Sequence, residues 1–380
     1  MAIYDISSTW QTEVKNKARG GIPNCEDGSI SGDLVAWKKI KTLLEKSQNN
    51  GTGFSQGIIS THSLIYTNSS GAYIGGVLAP NGDIHFVPYN ADRGQKIDSN
   101  GVVSTYSLVY TIANAYVGGV LASNGDIHFA PASAAVGQKI NSNGVISTYS
   151  LVYTTTAGAY FGGVLSGSGE IHFVPRNGLV GQKISSSGVV STYSLVTTST
   201  PGYTGGVLST AGEIHFVPTN NVAVGQKIST SGVVSTYSLV YTQTGNAYYG
   251  GVLDANGDIH FVPNTAPVGQ KVSAAGVVST YSIIYTHSSS AYQGGVLTPN
   301  GDIHFIPAAA AVGQKISQSG VVSTYSLAYT VSNAFAGGVL TPRCEVFFIS
   351  RNAAIGQKIS ILSANPLNLG VCCSPFFNNF

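Results

Sequence analysis

Gly75-Gly76-Val77-Leu78-Ala79-Pro80-Asn81-Gly82-Asp83-Ile84-His85-Phe86-Val87-Pro88 decides the fold of this chain, because the stretch returns six more times. Edited copies begin at Gly118, Gly162, Gly205, Gly250, Gly294 and Gly337, at steps of 43, 44, 43, 45, 44 and 43 residues. Seven copies at near-constant spacing describe units that bury their apolar faces on one another, in an array or a closed ring.

Each copy parses into four short strands. Strand A is Ala72-Tyr73-Ile74-Gly75-Gly76-Val77-Leu78 and strand B runs from Asp83 to Pro88. Asn81-Gly82 between them reads as a two-residue hairpin turn with positive φ at both positions. Strand C is Gly94-Gln95-Lys96-Ile97, and strand D is Val102 to Tyr110, beyond Asn100-Gly101. Four antiparallel strands in about 44 residues make one blade of a β-propeller, so the expected fold is an all-β, seven-bladed propeller. The paired glycines of strand A suit the crowded inner position, where backbones approach most closely.

The ends of the repeat array predict closure. A D-type strand, Gly57 to Thr67, precedes the first copy, while the last copy, Gly337 to Ser360, has A, B and C strands only. The early strand is expected to complete the last blade, which leaves no blade uncapped. His62 stands where the other six D strands carry Tyr, and Phe347 where the other six B strands carry His. Both exceptions fall in this composite blade, so B-strand His and D-strand Tyr are expected to be neighbours, within a blade or across a joint.

Three regions follow. Residues 1–53 form an extension with one amphipathic helix over Asp33 to Lys46 and a polar linker, serving as a cap or as a docking adaptor. The propeller occupies 54–363. Residues 364–380 are a tail whose Phe376, Phe377 and Phe380 call for cover by the ring or by a partner. Charged residues are only 9% of the chain and the formal charge is +2, which gives no reason to expect nucleic acid. No run is long and apolar enough for a membrane helix, and Met1 to Val14 lack a signal-peptide pattern. Cys25, Cys344, Cys372 and Cys373 are expected to be reduced thiols, with a bridge from Cys344 to the tail as the alternative.

The polar residues that repeat are an acid, a histidine and a lysine: Asp83, His85 and Lys96 in the first copy, Asp126, His128 and Lys139 in the second. Carboxylate, imidazole and amine together could serve acid–base chemistry or a metal. Their recurrence in nearly every blade points instead to a structural hydrogen-bond network where blades meet. Tyr73, Tyr116, Tyr160, Tyr203, Tyr248, Tyr292 and Phe335 begin the A strands, and they read as an aromatic ring at one channel mouth or as packing between inner strands. No phosphate-cradling loop, nucleophile elbow or His-Glu-x-x-His motif is present, and no cofactor is expected. No Trp-Asp pair ends a blade, which sets the chain apart from WD40 repeats.

The wording Gly-Gly-Val-Leu-x-Pro-Asn-Gly-Asp-Ile-His-Phe-Val-Pro, with Gly-Gln-Lys-Ile and Gly-Val-Val-Ser-Thr-Tyr-Ser-Leu-Val-Tyr-Thr, resembles repeat proteins encoded by marine bacteriophages and some bacteria. The resemblance covers about 57 to 360. It implies a virion component of tail, baseplate or capsid-decorating type, which would meet other virion proteins through residues 1–50 and the tail, and a host-surface glycan or protein through the ring. A lectin-like propeller is the alternative. An enzyme at the channel mouth is the third reading, and it requires the blade-specific His62, Arg343, Cys344 and His287 to gather there.

Overall fold

The computed structural model describes residues 57–361, apart from residues 69, 220, 221, 243, 244 and 288. Strand β1 (Ile58–Ser63) comes first, then blade 1: β2 (Tyr73–Leu78), β3 (Ile84–Pro88), β4 (Arg93–Ile97) and β5 (Val103–Ser107). Strands β6–β25 build blades 2 to 6 in the same order, over residues 116–150, 160–193, 203–238, 248–282 and 292–326. Blade 7 combines β26 (Phe335–Leu340), β27 (Glu345–Ser350) and β28 (Ile355–Ser360) with β1. β1 pairs antiparallel with β28, from Ile58 opposite Ser360 to Ser63 opposite Ile355. The described residues form an all-β, seven-bladed propeller whose ring β1 closes. The expected helix over Asp33 to Lys46 and the tail lie outside the described residues.

The hairpins are one step longer than a two-residue turn. Ala79 N–H donates to the Asp83 carbonyl and Gly82 N–H to that of Ala79, and only Gly82 has positive φ, at 88°. Pro80 and Asn81 sit at the centre of that four-residue turn, where Pro is favoured, and Gly takes its fourth position. In blade 7 Cys344 fills the glycine's place with φ of 59°. It is buried and disulfide-bonded, not a reduced thiol as expected.

Strand A carries a bulge: pairing with strand B slips between Tyr73 and Gly76. The glycines there are sterically required. A Cβ on Gly205 would stand 2.8 Å from the Gly250 Cα of the next blade. Between blades, each strand B contributes one fully buried Phe, such as Phe86 or Phe216. Each such ring is worth about 2–3 kcal/mol of burial.

The joints have their own polar link. Gln138 in blade 2 is fully buried, and its Oε1 accepts the N–H groups of Val109 (3.0 Å) and Tyr110 (2.8 Å), which leave blade 1. The same double acceptance recurs at Gln95, Gln182, Gln226, Gln270, Gln314 and Gln357, once per joint, including the closing one. Two backbone donors that no sheet ladder reaches are thereby satisfied.

Candidate functional site

The repeated acid, histidine and lysine belong to single blades. His85 faces Lys96 in the β3–β4 register, and Lys96 Nζ donates to Asp83 Oδ2 at 2.7 Å. Equivalent acid–lysine pairs form in all seven blades. His85 Nδ1 lies 3.2 Å from the Tyr106 hydroxyl on β5, and their rings meet edge to face at 5.5 Å. The histidine and D-strand tyrosine are therefore neighbours within one blade. The network serves blade interiors, while the glutamines, which sequence reasoning passed over, serve the joints. Tyr106 lies flat over Gly94, where a Cβ would come within 2.0 Å of its ring. That glycine makes the slot the phenol fills.

Burial governs the chemistry of these groups. It lowers His85, His128, His172, His215 and His304 from 6.5 to about 4, with the adjacent lysine pushing the same way. Tyr106 and its equivalents are pushed above their ordinary range by desolvation. Acid length tunes the contact. Where the acid is Glu170 or Glu213, it comes within 3.6 Å of the His Nε2 atom, and the His172 and His215 Nδ1 atoms lose their tyrosine bond.

The A-strand aromatics do not ring the channel. Tyr73, Tyr116, Tyr160, Tyr203, Tyr248, Tyr292 and Phe335 are at most 1% exposed. Tyr73 packs edge-on against Phe86 at 5.4 Å, and its hydroxyl donates to the Arg93 carbonyl at 3.0 Å. The bulge turns these rings into the blades. The next residue in each copy stands at the channel instead: Ile74, Val117, Phe161, Thr204, Tyr249, Gln293 and Ala336, no two of them alike. Ile74, Val117, Phe161, Tyr249 and Ala336 form one buried cluster drawn from five blades.

Symmetry breaks at three places. In blade 7, His62 occupies the slot over Gly356 and meets Phe347 edge-on at 5.3 Å, so the two ring types have changed places as expected. In blade 5, Asp254 stands where the other copies have Ala, Ser or Thr. Its Oδ2 is 3.4 Å from His260 Nε2, beside a cavity of about 150 Å3 that reaches Ser317 and Gln318 of blade 6. Burial works to raise Asp254, but the hydrogen bond and charge of His260, with the Asp258 and Asn256 N–H groups, outweigh it and hold the carboxyl below its ordinary range. Asp254, Asp258 and His260 bring one ligand atom each within 4.8 Å, a set that could hold a metal ion. Each member already has a protein partner: Asp258 is engaged by Lys271 (2.7 Å) and the Ala274 N–H (3.0 Å), Asp254 Oδ1 accepts from the Asn256 and Asp258 N–H groups at 2.8 Å, and His260 Nδ1 lies 3.2 Å from the Tyr281 hydroxyl.

The third place is the channel mouth on the face of the strand B to C loops, where Arg176 and Arg351 approach the cluster just described. The residues that a mouth-centred enzyme requires do not gather there. His62 is in the outer strand β1, Arg343 and Cys344 are in a hairpin on the opposite face, and His287 follows the last strand of blade 5.

No family profile and no curated protein matches the sequence. Among solved structures, the fold is similar to a streptogramin B lyase, with a TM-score of 0.69 at 19% identity over 81% of this chain and 98% of that one. A catalytically inactive histidine variant of virginiamycin B lyase from Staphylococcus aureus, solved with quinupristin, gives 0.69 at 17% over 81% and 100%. The extracellular domain of a putative one-component system from B. thetaiotaomicron gives 0.58 at 12%, over 81% of this chain and 40% of that one. At such identities the likeness establishes the propeller fold.

Proposed function

We propose that the protein is a non-enzymatic binding and assembly ring, acting as a component of a viral particle. The observation that carries this reading is what the ring turns outward. The seven outer strands carry no Lys, Arg, Asp or Glu, and the residues that flank them include exposed Val and Ile, such as Val102, Val109 and Ile284 at 60–62%. Natural edge strands are usually guarded by charge, proline or bulges; these are not, which suits repeated contact with other chains. Inside, the repeated lysines and acids are paired to one another, and burial holds His85, His128, His172, His215 and His304 neutral, so the repeated polar set favours stability over turnover. Residues 1–50 and the tail, unlike the repeat in composition, supply the attachment to other virion proteins, and the rim meets a host-surface glycan or protein.

Mass spectrometry and immunogold labelling of purified particles test this. The protein is expected at fixed stoichiometry on their surface, and its absence from them overturns the reading. Recombinant protein incubated with quinupristin tests the rival lyase reading. Unchanged quinupristin is expected, and its consumption would overturn the non-enzymatic assignment.

A further inference from the structure

Most cations of the ring have a carboxylate partner. All seven repeat lysines are paired, and Arg93 holds Asp92 at 2.9 Å. Among the described residues, Arg176, Arg351 and the exposed Arg343 have no carboxylate within 4.0 Å. Arg176 and Arg351 occupy the same position, one residue beyond strand B, in blades 3 and 7, and both turn to the channel mouth.

Their surroundings are specific. The Arg176 guanidinium lies over the Phe161 ring at 4.0 Å, and Phe161 is 6.4 Å from Tyr249. Arg351 Nη1 donates to Gln293 Oε1 at 3.2 Å, and its side chain shares the approach to Gly71 with Tyr89. The Nε atoms of both arginines are buried without an acceptor among the described residues. Both positive charges also reach the buried Tyr249 phenol. Two unneutralised guanidinium groups over one apolar floor repel each other, and an unpaired buried donor costs about 1–3 kcal/mol. One oxyanion between them would relieve both costs, since guanidinium forks match carboxylate and phosphate oxygens.

We propose that this mouth is a binding site for a small ligand bearing a carboxylate or phosphate on a planar apolar body. Arg176 and Arg351 take the oxyanion, and Phe161 and Tyr249 take the body. The site is blade-specific and independent of the outer rim.

The test is calorimetry and thermal unfolding of the full chain at low ionic strength, with phenyl phosphate, benzoate, inorganic phosphate and neutral benzyl alcohol. Phenyl phosphate and benzoate are expected to bind saturably and raise the unfolding midpoint, phosphate more weakly, and benzyl alcohol not at all. Arg176→Met and Arg351→Met should each weaken phenyl phosphate about tenfold or more. Phe161→Leu should weaken phenyl phosphate and leave inorganic phosphate unchanged. If a methionine variant fails to fold, Arg176→Lys and Arg351→Lys serve, with a smaller loss expected because the fork is gone and the charge remains. No saturable binding of any anion by the natural sequence overturns the proposal, as does binding that all arginine variants retain unchanged.

Discussion

The interior of the ring and its channel mouth are built by the same strands, yet they differ in kind. Inside, the blades repeat one solution: Phe between blades, Gln across the joint, acid against Lys and, in all but the closing blade, Tyr over Gly. At the mouth, seven equivalent positions hold seven different residues, from Ala336 to Tyr249. Interior positions must satisfy the same neighbours seven times, so one residue fits all. The mouth belongs to no blade in particular, and its side chains meet across the axis, where only their joint shape is constrained. Repetition therefore marks what the fold consumes, and irregularity marks what it leaves for recognition.

Acid should break the interior first, and with the largest effect. His62, like the five repeat histidines already described, is lowered from 6.5 to about 4, by burial and then by Lys358. Between those values the unfolded chain binds protons that the folded chain does not. Stability is thus complete above pH 6.5 and falls as pH drops through the window toward 4. A shift of that size is worth about 3 kcal/mol per histidine, and six together exceed the usual margin of 5–15 kcal/mol as an upper bound. Denaturant unfolding at steps from pH 7.5 to 4.5 should show a steep loss. A flat profile would mean that the imidazoles reach water.

Two glutamines set the regions side by side. Gln226 holds the Val196 and Thr197 N–H groups, both at 3.0 Å, whereas Gln293 at the mouth accepts, among the described residues, from the half-buried Arg351 alone. Gln226→Leu should leave two donors stranded and cost about 2–4 kcal/mol. Gln293→Leu should cost about 1 kcal/mol or less, because water can replace the lost acceptor. Equal losses, measured by denaturant titration, would erase the distinction between joint and mouth.

How much of this was legible follows from which interactions are local. The strands, their order and the ring closure are written in a period of about 44 residues and in the strand missing from the last copy. The His–Tyr contact was legible because both exceptions, His62 and Phe347, fall in one blade. The direction of Tyr73 was not, because the bulge at Gly75 undoes the two-residue alternation on which strand reading rests. Gln138 was missed because its partners lie 28 and 29 residues upstream, on another blade, with only a backbone amide to offer. The mouth was sought among the rarest residues, yet its arginines come from a position that holds alanine in two other copies.

The smallest expected effect tests whether the closing blade is a true exchange. His62 has both ring nitrogens buried without partners among the described residues, against Phe347, whereas His85 in blade 1 reaches a tyrosine hydroxyl at 3.2 Å. His62→Tyr alone supplies a hydroxyl with no imidazole to meet it, and Phe347→His alone sets two imidazoles together beside Lys358. Each single change should therefore destabilise. The double variant rebuilds the regular pair and gains one hydrogen bond, worth about 1 kcal/mol. It also gives up the Lys358 ammonium over the Phe347 ring at 5.2 Å, a loss of about 0.5 kcal/mol for a part-exposed cation. The double-mutant cycle should then return a favourable coupling of about 1 kcal/mol or somewhat less, since the Lys358 contact disappears in the Phe347 single variant as well. A coupling of zero would mean that position 62 adapts to the ring closure itself and not to its neighbour on β27.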